Sequence, residues 1–319
     1  IMIVFGNDIQ GQTALMYDPF YGDFLEVKRI EILGRGCEIR AESSVIKLER
    51  YRRQTIIPEW SQKKIGEQII FIAGMGVNGS SFFQSLVCLG AGAKAYGGWI
   101  AIADHDVIEE SNLNRIPYAY HNHVNLKKVK VAREYAQLKN KDLEVIALPC
   151  KITEDICEYR ARSSTILIGA GDNDGVRKIL NNWSVKYGIP YIDLGCEIIV
   201  KNDKFDAGGQ VRVVIPDENA CLVCCGGYDS SQAAIDLMDE KQQSIRASAG
   251  YLRGANIEAA PSIVNLNGAI SDIGIAAFLS VVHGDKYGSW DYAYYNQLAG
   301  TVITAKTSQN PNCPLCISK

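Results

Sequence analysis

Short apolar runs alternate with amphipathic, helix-length stretches through the middle of the chain. The runs at 69–73, 99–103, 145–148, 165–169 and 191–194 read as buried strands, and helices are expected after Asn78, over about 127–138 and over 175–187. β and α units alternating at this length predict an α/β fold, a Rossmann-like, mostly parallel sheet with helices on both faces. Ligands of such sheets sit beyond the carboxyl ends of the strands.

The pattern changes towards both ends. Apolar runs at 2–5, 14–17 and 24–33 alternate with Gly and Asp turns, which predicts a small β-rich domain over 1–45, expected to help choose a partner. A charged helix is expected within 44–66, broken at Pro58, and residues 46–319 form the second domain. After Gly195 come a strand at 210–215, a polar stretch at 226–258 expected to be a mobile loop over the site, an apolar helix at 262–282 and a strand at 300–304. There is no internal repeat and no low-complexity segment.

Composition narrows the possible partners. A chain of 319 residues with 47% apolar content can bury one large core, or a core and a satellite. A formal charge of -3 with interspersed acids and bases gives no nucleic-acid or membrane-surface footprint, so proteins or small molecules are expected as partners. No apolar run reaches the roughly 18 residues that span a bilayer, and the start lacks a secretion pattern, so a cytoplasmic location is expected. Ile1 is set aside and Met2 taken as the start. In a reducing compartment, ten cysteines argue for metal ligands and buried thiols over disulfides.

Two features carry chemistry. Cys221 and Cys224 form one C-x-x-C pair and Cys313 and Cys316 a second, the spacing of a four-thiolate zinc site that would tie the C-terminal part to the middle of the chain. Gly74-x-Gly76-x-x-Gly79 follows an apolar strand and opens a helix, where backbone N–H groups can face phosphate. A ligand-free turn would use the same glycines. Asp104, at the end of the second strand, suits a ribose contact, in a nicotinamide dehydrogenase as much as in an ATP site.

The ordered set Asp104-His105-Asp106, Ser111-Asn112-Leu113-Asn114-Arg115, Lys128 and Gly171-Asp172-Asn173 resembles the ThiF/MoeB/HesA family, which includes the adenylation domains of ubiquitin-activating enzymes. Arg50-Tyr51-x-Arg53-Gln54 and both cysteine pairs match it too, so the resemblance spans roughly 48–319. It implies that Gly74, Gly76 and Gly79 form the phosphate turn and that Asp104 binds the ribose. Asn112, Arg115 and Lys128 would contact the ATP phosphates and Asp172 would hold Mg²⁺, with Asp106 and Asn173 in the same nucleotide set. Arg53 would reach the neighbouring subunit's site in a homodimer.

The implied activity is ATP-dependent adenylation of the C-terminal carboxylate of a ubiquitin-like or sulfur-carrier protein or a peptide. The residue types agree: an ionised carboxylate needs no general base, while charge building up on phosphate needs cations and metal. Val77 and Asn78 depart from the family's usual glycine and aliphatic residue. Alternatives stay open: an enzyme that forms a thioester on Cys196 or Cys225, and a non-catalytic dimer that binds a ubiquitin-like protein. No cysteine lies between Gly226 and Val282, and residues 251–254, where simpler family members hold one, read Tyr-Leu-Arg-Gly.

Overall fold

A computed structural model describes residues 3–8, 11–18, 23–33, 38–43, 50–238 and 261–316, the first four of these segments as backbone. Contacts divide the chain into two units, residues 1–64 and 65–319. In the first unit, β1 (Ile3–Asp8), β2 (Gly11–Asp18), β3 (Asp23–Leu33) and β4 (Glu38–Ser43) form an antiparallel sheet in chain order. β4 was not among the expected strands, because Ile39 and Ala41 are its only apolar residues.

The charged stretch is not the helix its composition suggests. Residues 44–49 lie outside the described residues, the chain runs through short turns from Arg50 to Glu59, and a helix, α1, covers only Gln62–Gly66. The β-branched Thr55-Ile56-Ile57 run disfavours helix, Pro58 restricts Ile57 and lacks an N–H, and Glu59 takes a left-handed φ of 63°.

The second unit is built on eight strands. β5 (Ile69–Ala73), β6 (Trp99–Ala103), β7 (Val145–Leu148) and β8 (Ile166–Gly169) are parallel, and β9 (Tyr191–Lys201) joins them parallel to β8. β10 (Lys204–Val214), β11 (Tyr292–Asn296) and β12 (Thr301–Ala305) extend the sheet antiparallel, giving the order β12-β11-β10-β9-β8-β5-β6-β7. The chain leaves β5 towards β6 on one side and has β8 on the other, so the sheet's switch point lies between β5 and β8.

The expected strands at 191–194 and 210–215 are halves of one long hairpin. It turns at Asn202-Asp203, with φ values of 50° and 59°, as a type I′ turn requires. Beyond Gly195 most β9 positions are exposed, so the apolar signal fades while the strand continues.

Helices cover both faces. Phe71, Ala73, Leu167 and Tyr191 share a core with Cys157 and Ala161 of α4 (Asp155–Ala161) and with Leu180 and Trp183 of α5 (Asp174–Tyr187). By strand alternation Ile70 and Ile72 face the other side, with α2 (Val77–Leu89), α3 (Lys128–Lys139) and α7 (Val264–His283). Gly274 lets α7 approach Leu194 and Phe82, since a Cβ there would stand 2.6 Å and 3.2 Å from their side chains.

α7 corrects one expectation. Its 20 residues are long and apolar enough to cross a membrane by length and composition. It packs on α2, β9 and β10, however, and buries Leu266, Ile270 and Phe278, as a core helix does. The polar stretch also departs from a plain loop, because α6 spans Ser230–Asp236 and Asp229 caps it, accepting from the Ser231 and Gln232 N–H groups at 2.7 and 3.0 Å. Residues 239–260, which include 251–254 and most of the expected mobile loop, lie outside the described residues.

Candidate functional site

The carboxyl ends of β5, β6, β8 and β9 open into a cavity of about 810 Å³, within the usual size of a small-ligand site. Its floor is the turn from β5 into α2. Gly74 takes a φ of +93°, and a Cβ there would stand 2.7 Å from the Gly171 nitrogen. Gly79 lies in the first turn of α2 with its Cα against the Gly74 carbonyl, which an added methyl would overlap. Packing therefore explains both residues without a ligand. It does not explain Gly76, which lines the cavity and would present a Cβ to open space.

Asp104 fixes this turn to β6. One carboxylate oxygen accepts the Met75 N–H at 2.7 Å and the other the Asp106 N–H at 2.8 Å. Each oxygen keeps a lone pair for a further donor. Val77, the departure from the family pattern, is the first residue of α2 and has ordinary helical geometry.

The charged groups gather on the β6 side. Asp104, Asp106, Asn112, Arg115 and Lys128 all line the cavity, with Asp172 at the end of β8. Lys128 donates to Asp106 at 2.9 Å. Burial would raise the Asp106 carboxyl, but Lys128, with His105 and Lys127 nearby, holds it below the usual carboxylate range. Asn112 closes a short 3-10 turn by accepting the Glu109 N–H at 3.1 Å. Arg115 donates to Ser111 O and, at 3.0 Å, to the Asn114 side chain, leaving its buried Nε without a partner among the described residues. The charge of the guanidinium itself has no carboxylate partner among the described residues, so it is available to an anion in the cavity. Asp172 is exposed at the rim.

Two expected residues of this unit have other tasks, and a third belongs to the other unit. Gly79 is buried beneath the turn, and Asn173 caps α5, its side chain accepting the Val176 N–H at 2.9 Å. Arg53 is an exposed residue of the 1–64 unit.

The cavity also contains groups not expected from sequence. Arg177 of α5 lines it and pairs with Asp193, 1% exposed, at 3.3 Å and with Asp174 at 2.9 Å. Burial pushes the Asp193 carboxyl up, against the pull of Arg177 and of the Tyr191 hydroxyl. An acid inside the apolar run at 191–194 was the available sign, since such a residue needs a buried partner. The far wall is formed by Gly209, Gln210, Tyr292 and Tyr294 of β10 and β11.

Cys196 lines the cavity from within β9, donates to the Asn78 side chain at 3.3 Å, and is pushed up to about 11 by burial. It is therefore a protonated thiol near neutral pH, unsuited to nucleophilic attack. Cys225 is also raised, mainly by burial, and its sulfur takes a hydrogen bond from Arg212 at 3.1 Å.

The paired cysteines converge. Cys221 Sγ lies 3.8 Å from Cys224 and 3.7 Å from Cys313, and Cys224 lies 3.6 Å from Cys316. A Zn–S bond of about 2.3 Å places the sulfurs of a tetrahedron about 3.8 Å apart, whereas a disulfide needs about 2.05 Å. Burial opposes ionisation of Cys313, but the backbone N–H groups of Cys316 and Leu315 outweigh it and lower this thiol. Burial and the neighbouring sulfurs raise Cys221 and Cys316, as expected for thiols that share one site. Cys225 stays outside the cluster.

Comparisons with known proteins agree with this architecture. The sequence model of the ThiF family matches residues 50–315. The chain is 31% identical over 180 residues to the sulfur carrier protein ThiS adenylyltransferase of Bacillus subtilis, covering 55% of this chain and 49% of that protein. It is 28% identical to the HesA protein of Leptolyngbya boryana, covering 56% and 60%. The chain thus spans about half the length of these curated relatives. A crystal structure of E. coli MccB with ATP has the same fold, with a TM-score of 0.61 at 18% identity, covering 84% of this chain and 74% of that one. PaaA matches with a TM-score of 0.60 at 17% identity, covering 86% of both chains.

Proposed function

The chain belongs to the ThiF family, and from that premise we propose that it is an ATP- and Mg-dependent adenylyltransferase acting on the C-terminal carboxylate of a small sulfur-carrier or ubiquitin-like protein or a peptide. In this reaction a carboxylate oxygen bonds to the α-phosphorus of ATP, the bond from that phosphorus to the bridging oxygen breaks, and pyrophosphate leaves. The nucleophile is already ionised, so no proton moves.

The observation that carries the reading is the wall around Gly76. An unfilled backbone cradle at Gly76 shares one cavity with Arg115, Lys128 and Asp172. Gly76 and the start of α2 would take phosphate on backbone N–H groups, Arg115 and Lys128 would neutralise it, and Asp104 would accept from the ribose. Asp172 would hold Mg²⁺, which supplies charge neutralisation on the phosphates. Zinc is assigned to Cys221, Cys224, Cys313 and Cys316 in a structural role.

The protonated state of Cys196 supports an acyl-adenylate passed onward instead of a stable thioester on this chain. The N-terminal sheet and the stretch 226–258 would help choose the partner. Arg53 is assigned to the neighbouring subunit's site in a homodimer. A cytoplasmic location belongs to the same proposal, and cell fractionation checks it.

Pyrophosphate exchange into ATP, driven by a candidate tail, tests the site. Arg115→Ala and Asp172→Ala should each lower exchange by about a hundredfold or more. Arg53→Ala should do the same, and mixing it with a Lys128→Ala chain should restore about a quarter of wild-type exchange, as one complete site in half of the dimers gives. Undiminished exchange in Arg115→Ala and Asp172→Ala would defeat the assignment.

A further inference from the structure

Arg177 is held by two carboxylates in the cavity wall, and the proposed reaction gives it no task. Its Nε donates to Asp193 at 3.3 Å and its Nη1 to Asp174 at 2.9 Å. Both acids are held in turn. The Tyr191 hydroxyl, fully buried, donates to Asp193 at 2.7 Å, and the Asp229 N–H donates to Asp174 at 3.0 Å.

Nη2 remains. It makes no hydrogen bond to the described residues, and it lies beside Gly195, where an added Cβ would stand 3.0 Å from it. Stability explains this arrangement poorly, because a buried ion pair often does no better than apolar residues of the same volume. The arrangement aims one guanidinium donor into the cavity and prevents its rotation.

Its place in the sheet separates it from the nucleotide groups. Asp193 belongs to β9 and Asp104 follows β6, three strands away in the order β9-β8-β5-β6. At about 4.8 Å per strand this is roughly 14 Å. Arg115 and Lys128 serve the β6 side, so among the described residues Arg177 is the cation that lines the cavity on the β9 side. Flanked by two acids, it also brings no surplus positive charge. A triphosphate would gain little there, whereas the single carboxylate of an acyl group can be held and oriented by one such donor.

We propose that Nη2 of Arg177 donates to the acyl oxygen of the substrate carboxylate, and then of the acyl-adenylate, aligning the other oxygen with the α-phosphorus. This inference rests on the adenylyltransferase reading. Arg177 is a catalytic residue in it, while Asp193, Asp174 and Tyr191 are positioning residues.

The test compares Kd values of the full chain for ATP, AMP and 5′-O-(N-glycylsulfamoyl)adenosine, a stable acyl-adenylate mimic with no side chain to clash. The variant is Arg177→Met/Asp193→Asn, which removes both charges of the buried pair; Asp174, 18% exposed, keeps the Asp229 N–H and contact with solvent. Wild type should bind the mimic at least about tenfold tighter than AMP, and the variant should lose that preference while its ATP Kd stays within about twofold. Retention of ATP binding also certifies that the variant folds. An unchanged preference in the variant, no preference in wild type, or parallel loss of ATP and mimic would overturn the assignment. Failure of wild type to bind ATP would instead reject the adenylyltransferase reading, and this inference with it.

Discussion

At the scale of the residue, the three glycines of one turn have two different jobs. Gly74 and Gly79 are required by the fold, whereas Gly76 faces only the cavity. Gly79→Ala should therefore destabilise the protein by roughly 1–3 kcal/mol. Gly76→Ala replaces the preferred N-cap glycine without a clash and should cost no more than about 1 kcal/mol, yet weaken ATP binding by about tenfold. Thermal unfolding and equilibrium ATP binding on the two variants separate these effects; equal unfolding shifts in both would contradict the distinction. Much of this was legible in sequence: Asp104, Asn112, Arg115, Lys128 and Asp172 were found from their order and all line the cavity. Asn173 was not separable from them, because an asparagine that caps a helix looks the same in sequence as one that binds a ligand. Arg177 escaped because its meaning depends on Asp193, brought beside it only by the packing of α5 on β9.

At the scale of the element, α5 links the cysteine cluster to the cavity. Leu222, between the first two cysteines, donates its N–H to the buried Asn181 side chain of α5 at 2.8 Å. The first turn of α5 carries Asp174 and Arg177, and Asn173 caps it. Metal removal should thus lower the unfolding temperature and also loosen the cavity. The protein should hold about one zinc per chain, and Cys313→Ser or chelation should release it, with a loss of several kcal/mol or of the folded state altogether. Elemental analysis beside a melting curve checks this, and a metal-free chain with an unchanged melt would refute the zinc assignment. Strands β5, β6 and β8 were readable because both faces are buried, the edge strand β7 from its short apolar run, and the two C-x-x-C pairs because short turns fix sulfur positions. The β9–β10 hairpin was read as two fragments, since its outer half is solvated and carries Glu197, Lys201, Lys204 and Asp206. The expected helix gives way to turns over the described residues before Pro58, because the β-branched Thr55-Ile56-Ile57 run works against the helical charge pattern.

At the scale of the whole molecule, the second unit is a parallel sheet with an antiparallel extension, and its cavity spans both. The β5–β6 side offers the cradle and cations that a triphosphate needs; the β9–β11 side offers one fixed guanidinium and tyrosine-lined space. That division of labour was beyond the sequence, because β11 lies almost a hundred residues after β9 and nothing local announces their pairing in one sheet. It makes attack at the α-phosphorus, with the acyl group entering from the β9 side, the central claim. Product analysis tests it most directly: the enzyme is incubated with ATP, Mg²⁺ and a candidate tail in matched free-acid and C-terminal amide forms. The free acid should yield AMP-bearing acyl-adenylate and pyrophosphate and the amide neither; ADP and orthophosphate, or equal turnover of both forms, would rule out attack at the α-phosphorus.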